Sequence, residues 1–73
     1  HARSAAKLAQ AARQAVRKVW LAKNGERVDA KQIIDILTLG AAMGDQVRVE
    51  IESPEDMGVL DAIAQLFQQG FGE

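Results

Sequence analysis

Apolar positions along this chain recur at two spacings, and each spacing predicts a kind of element. From Ser4 to Val16, Ala5, Leu8, Ala12 and Val16 fall at helical intervals while Lys7, Gln10, Arg13, Gln14 and Arg17 fill the other face. Alanine, the best helix former, is abundant here and strengthens that prediction. At Val19-Trp20-Leu21 the period drops to two, with Val19 and Leu21 on one side and Trp20 on the other. Asn24-Gly25 then predicts a type I′ hairpin, since both central residues of that turn need positive φ. The return strand is short, Glu26 to Val28. Asp29 and Gln32 have capping-box spacing and predict a second helix carrying Ile33, Ile34, Ile36 and Leu37, with Gly40 as its cap.

Ala41 to Asp45 reads as a loop, and Gln46 to Ser53 alternates cleanly, Val47, Val49 and Ile51 against Arg48, Glu50 and Glu52. Such a segment is a half-buried antiparallel strand with one wet face. Ser53-Pro54-Glu55-Asp56 is a helix start with a hydroxyl cap, proline at the first helical position and acids in the first turn. The last helix buries Val59, Ile63, Leu66 and Phe67, Gly70 ends it, and Phe71 is placed to fold back on Leu66. No repeat, linker or low-complexity stretch divides the 73 residues. The expected architecture is one α+β domain over residues 1–73, an open-faced sandwich with an antiparallel sheet and its helices on one face.

Size and composition narrow the chemistry. A core this small cannot enclose a deep pocket, which favours a carrier, binder or adaptor over an enzyme that buries its substrate. With no cysteine there is neither a disulfide framework nor a zinc–thiolate site, which suits the cytoplasm. No apolar run is long enough to span a bilayer. Net charge is −1, but residues 1–31 carry +6 and residues 32–73 carry −7. A basic zone around the first helix favours acidic partners. Nucleic acid fits poorly, because the bases are not interleaved with aromatics and the whole domain is not basic.

The reactive candidate lies at the start. His1, the chain's sole histidine, stands at the mouth of the first predicted helix, whose opening amides at Ala2, Arg3 and Ser4 lack intrahelical partners. With the macrodipole, that end is a seat for an anion, phosphate above all. Imidazole is a nucleophile that titrates near neutrality, so it can accept a group and release it. Arg3 adds a planar fork of donors suited to phosphoryl oxygens. The ordinary alternative is a solvated, idle terminal histidine. A metal site is disfavoured because copper chelation by an N-terminal histidine normally recruits a second one, and no acid is placed to build a nucleophile–histidine–acid triad. No cofactor is expected.

Taken together, His1-Ala2-Arg3 at a helix start, Lys23-Asn24-Gly25 between two strands, Ala30-Lys31-Gln32-Ile33-Ile34-Asp35-Ile36-Leu37-Thr38-Leu39-Gly40 and the closing Leu66-Phe67-Gln68-Gln69-Gly70-Phe71-Gly72-Glu73 resemble the histidine-containing phosphocarrier family, HPr, of the bacterial phosphoenolpyruvate-dependent sugar phosphotransferase system. The likeness runs in order through essentially the whole chain. The closing Gly-Phe segment also resembles the nitrogen-branch paralogue. The resemblance implies that His1 takes a phosphoryl group on Nδ1 from enzyme I and passes it to the A domain of a sugar permease, with Arg3 beside the phosphohistidine. It implies a docking surface that includes Ala6, Ile34 and Leu37. Four large aliphatics on so short a second helix cannot all be buried, which agrees with an exposed apolar patch there. A cytoplasmic monomer is the expected form, a phosphoryl carrier rather than a self-contained enzyme.

Three departures from the family pattern stand out. Ser4 replaces the usual proline; it can cap amides or hydrogen-bond a phosphoryl oxygen. Gln32 replaces the serine that a regulatory kinase modifies in many members, and it has no hydroxyl to accept phosphate. The family also has a strand before the histidine, so a longer natural chain is expected; without that strand one side of Gln46–Ser53 would be an open edge. The competing reading is a non-catalytic interaction module that keeps the fold and docking face without accepting phosphate.

Overall fold

The computed structural model describes residues 2–39 and 46–70. In chain order the elements are α1 (Ala2–Ala12), β1 (Val19–Lys23), β2 (Glu26–Asp29), α2 (Ile33–Leu39), β3 (Arg48–Ile51), a 3₁₀ turn (Pro54–Asp56) and α3 (Met57–Gln68). β1 is the centre of an antiparallel sheet of order β2-β1-β3. All three helices cover one face, α1 packing against both α2 and α3, α2 against β2, and α3 against β3. This is the open-faced α+β sandwich that the pattern predicts. The expected Gly40 cap, the 41–45 loop and the Phe71 contact lie outside the described residues, as does His1.

Alternation along β1 is what sets the two faces. Val19 and Leu21 are fully buried against the helices, and Trp20 between them turns to the open side. Lys23 pairs with Glu26, so the β1–β2 connection is the two-residue turn Asn24-Gly25, with φ of 52° and 84°. A β-carbon added at Gly25 would meet nothing within 4 Å. The cost of Gly25→Ala is therefore torsional, and equilibrium urea unfolding is expected to show a loss of about 1–2 kcal/mol without a change in fold.

α1 buries Ala5, Leu8, Ala9 and Ala12, a stripe at i, i+3, i+4 and i+7. The expected fourth member, Val16, is not part of it. After Ala12 the helix tightens, with Gln14 N donating to Ala11 O at 3.2 Å and Ala15 N to Ala12 O at 3.0 Å. That brings Ala15 into the core and leaves Val16 67% exposed. The amides of Val16 and Arg17, which a longer helix would spend on carbonyls one turn back, instead donate to the two carboxylate oxygens of Asp56 at 2.8 and 2.9 Å. Helix length here is decided by a residue forty positions away.

Smaller corrections follow the same logic. Asp29 closes β2 and its Oδ1 accepts from Lys31 N at 2.8 Å, a local turn in place of the expected capping box, and α2 starts only at Ile33. The third strand is Arg48–Ile51, shorter than 46–53. Ser53 Oγ does accept from Glu55 N, as a cap should, but it heads the 3₁₀ turn. In α3 only Ile63 is fully buried; Val59, Leu66 and Phe67 lie half-buried at the core's margin. Gly70, at φ 62°, follows the helix as a left-handed terminator.

Candidate functional site

The first turn of α1 carries the predicted phosphate-binding residues. Ala2 and Arg3 are exposed and Ser4 is half-exposed. Ala2 opens the helix, so the amides of its first turn have no carbonyl one turn back. No acidic residue sits in that turn to cancel the positive end, and Arg3 adds a full charge. The helix reaches this geometry because its buried stripe, Ala5 through Ala12, pins it to the sheet while residues 2, 3 and 6 stay on the outer side. His1, immediately before Ala2, lies outside the described residues. The tip of α1 is thus exposed and electropositive.

The apolar candidates lie on neighbouring elements. Ala6 is exposed on α1, one turn beyond the tip. On α2, Ile36 and Leu39 face the core while Ile34 is 73% exposed and Leu37 41% exposed. α2 packs directly against α1. The seven-residue helix therefore divides its aliphatics between inside and outside, and the outside pair has no partner within the described residues to account for it.

Comparison with known proteins fits this arrangement. Residues 1–69 match the family model described as the PTS HPr component phosphorylation site. The chain belongs to the HPr family. Its relatives include the phosphocarrier protein HPr of Cupriavidus necator, 40% identical over all 73 residues and 82% of the relative. HPr of Treponema pallidum is 37% identical over the same span, covering 83% of that protein. Among solved structures, an HPr dimer from Thermoanaerobacter tengcongensis superposes with a TM-score of 0.90 at 33% identity, covering the whole of this chain and 84% of that one. HPr proteins are the phosphocarriers of the phosphotransferase system, and that role comes to this chain with the family.

One residue that pattern reading placed in a first helical turn, Asp56, does lie there and also organises the other end of α1. Asp56 is 2% exposed, and its carboxylate is held below the ordinary range chiefly by the two amide donors, Val16 first and Arg17 second. Burial opposes this shift, and the charges of Lys31 and Arg17 reinforce it. Lys31 also donates from Nζ to Ala15 O at 3.2 Å, and Arg13 donates from Nε to Lys31 O at 2.9 Å. These contacts close the α1–β1 connection and so fix where the helix points. The available signal was an acid after Ser-Pro; only the fold shows that it serves another segment. Among the described residues, no cluster of His, Cys, Asp and Glu could hold a metal ion.

Proposed function

We propose that this HPr-family chain carries phosphate on His1, accepting it from enzyme I and delivering it to permease A domains. The observation that carries the reading is the tip of α1: a helix that opens at Ala2, with Arg3 and no acid in its first turn, next to the sole histidine. In this mechanism the imidazole attacks the phosphoryl group of phosphorylated enzyme I. A phosphorus–nitrogen bond forms as the bond to the donor group of enzyme I breaks and that group leaves with its electron pair. The new phosphoramidate retains high transfer potential, so the carrier has to present it and balance part of its charge. Helix-end amides of Ala2, Arg3 and Ser4 together with the Arg3 guanidinium supply that balance. Exposure matters as much, because the same group must next meet an acceptor on another protein.

Partners dock over the apolar surface of Ala6, Ile34 and Leu37, and the basic α1 favours acidic rims on them. The working form is a monomer in the cytoplasm; among the described residues no helix is long and apolar enough to cross a membrane. Incubation with labelled phosphoenolpyruvate and enzyme I tests the reading: acid-labile, alkali-stable label on this chain is the expected result. Folded protein that takes up no label would overturn it. Ile34→Glu is expected to raise the KM for transfer roughly 10-fold or more, with kcat and thermal stability little changed, since it places a charge in the docking surface and disturbs no core contact. Steady-state phosphotransfer with the variant as acceptor checks this.

A further inference from the structure

The sheet face away from the helices is lined by charge and one aromatic ring, and the phosphocarrier role uses none of it. Ala22, in the central strand, pairs with Arg27 on one side and Arg48 on the other. Two guanidinium groups therefore flank a methyl group. Glu50, on the same face, ties them together: its Oε1 lies 3.3 Å from Arg27 Nε and its Oε2 3.9 Å from Arg48 Nη1. Arg27 is further held over the Trp20 ring, its guanidinium carbon 4.4 Å from the centroid. The group opens into a hollow of about 670 Å³ that runs to the hairpin and is also lined by Lys23, Val47 and Phe67.

We propose that this hollow binds a phosphate dianion, either inorganic phosphate or the phosphoryl end of a small phosphomonoester. Charge supports it. Arg27 and Arg48 against Glu50 leave a net positive group. Each guanidinium presents five N–H donors in a fixed fork, and Glu50 contacts each of these two through a single nitrogen. The remaining donors match phosphoryl oxygens. Preorganisation supports it as well: Arg27 is already fixed by a carboxylate and a ring, so less side-chain freedom is lost on binding. The ligand class is anionic because two guanidinium groups line the hollow.

Trp20 is the chain's sole tryptophan and reports on Arg27 through their stacking. Inorganic phosphate and glycerol phosphate are titrated separately into the protein, with sodium chloride at matched ionic strength as control, following Trp20 fluorescence. A saturable change in the millimolar range with either phosphate, weakened roughly tenfold or more in Arg48→Gln, is expected; which of the two saturates identifies the source. Arg48 is largely exposed and does not stack on Trp20, so the variant is expected to keep its fold. Arg3→Gln separates this site from the tip of α1. The proposal fails if chloride reproduces the change, if Arg48→Gln leaves it intact, if Arg3→Gln removes it, or if phosphate gives none at tens of millimolar. None of these outcomes bears on phosphoryl transfer at His1.

Discussion

His1→Ala is expected to abolish labelling from phosphoenolpyruvate and enzyme I completely, while circular dichroism and thermal unfolding stay unchanged. The loss is total because the substitution removes the atom that forms the bond, and no other side chain in the chain has an imidazole's combination of nucleophilicity and near-neutral titration. Stability is indifferent because the buried stripe that anchors α1 begins at Ala5. Arg3→Gln gives the graded companion result. It removes a charged donor but leaves the helix-end amides, so transfer is expected to slow by roughly 10- to 10³-fold without being lost. Treating labelled protein with acid and alkali guards against a false positive at Ser4, whose phosphoester would survive acid. Label that persists in His1→Ala would move the acceptor elsewhere and sink the proposed mechanism.

The second large effect is on stability. Asp56→Ala is expected to lower the melting temperature by roughly 10 °C or more, a size that follows from how strongly a domain this small responds to each lost interaction. The substitution strands two amides, those of Val16 and Arg17, that no helical carbonyl is placed to accept. Asp56→Asn is the sharper test. Its side-chain oxygen can still accept one amide, but its NH₂ group meets the other donor to donor, so it should recover only part of the loss. Amide exchange at Val16 and Arg17 should accelerate in both variants ahead of the rest of the sheet.

The pH dependence follows in sign from the same carboxylate. Its folded-state pKa lies below the ordinary value, so the clamp contributes fully above the unfolded-state pKa of about 4. That contribution is lost as pH falls from there through the folded value. Wild-type protein should therefore lose stability on acidification below about pH 4 more steeply than Asp56→Asn, the two curves converging at low pH. Parallel curves would show that the carboxylate's charge is not what the two amides require.

Much of this architecture could be read from residue order because the informative features are local. The alternation of Val19, Trp20 and Leu21 depends only on the two-residue pleat, and both aliphatics are fully buried with Trp20 on the other face. Asn24-Gly25 demanded one kind of turn and formed it. The start of α1 was visible for the same reason: a run of alanines makes a helix, and α1 opens at Ala2. The division of α2 could be anticipated too, since a helix of seven residues cannot bury its five large aliphatics on one stripe.

What residue order could not supply are the contacts between segments distant in the chain. Val16 continues a helical periodicity, yet it ends up exposed because Asp56, brought beside it by the packing of α3 on α1, claims the amides that would have prolonged the helix. The pairing of Arg27 with Arg48 through Glu50, across a strand that separates them, exists only once β3 has crossed to the far side of β1. Periodicity reports which face a residue prefers, a short-range property of backbone geometry. Hydrogen bonds and ion pairs between remote residues depend on how the faces come together, and chain folding alone settles that.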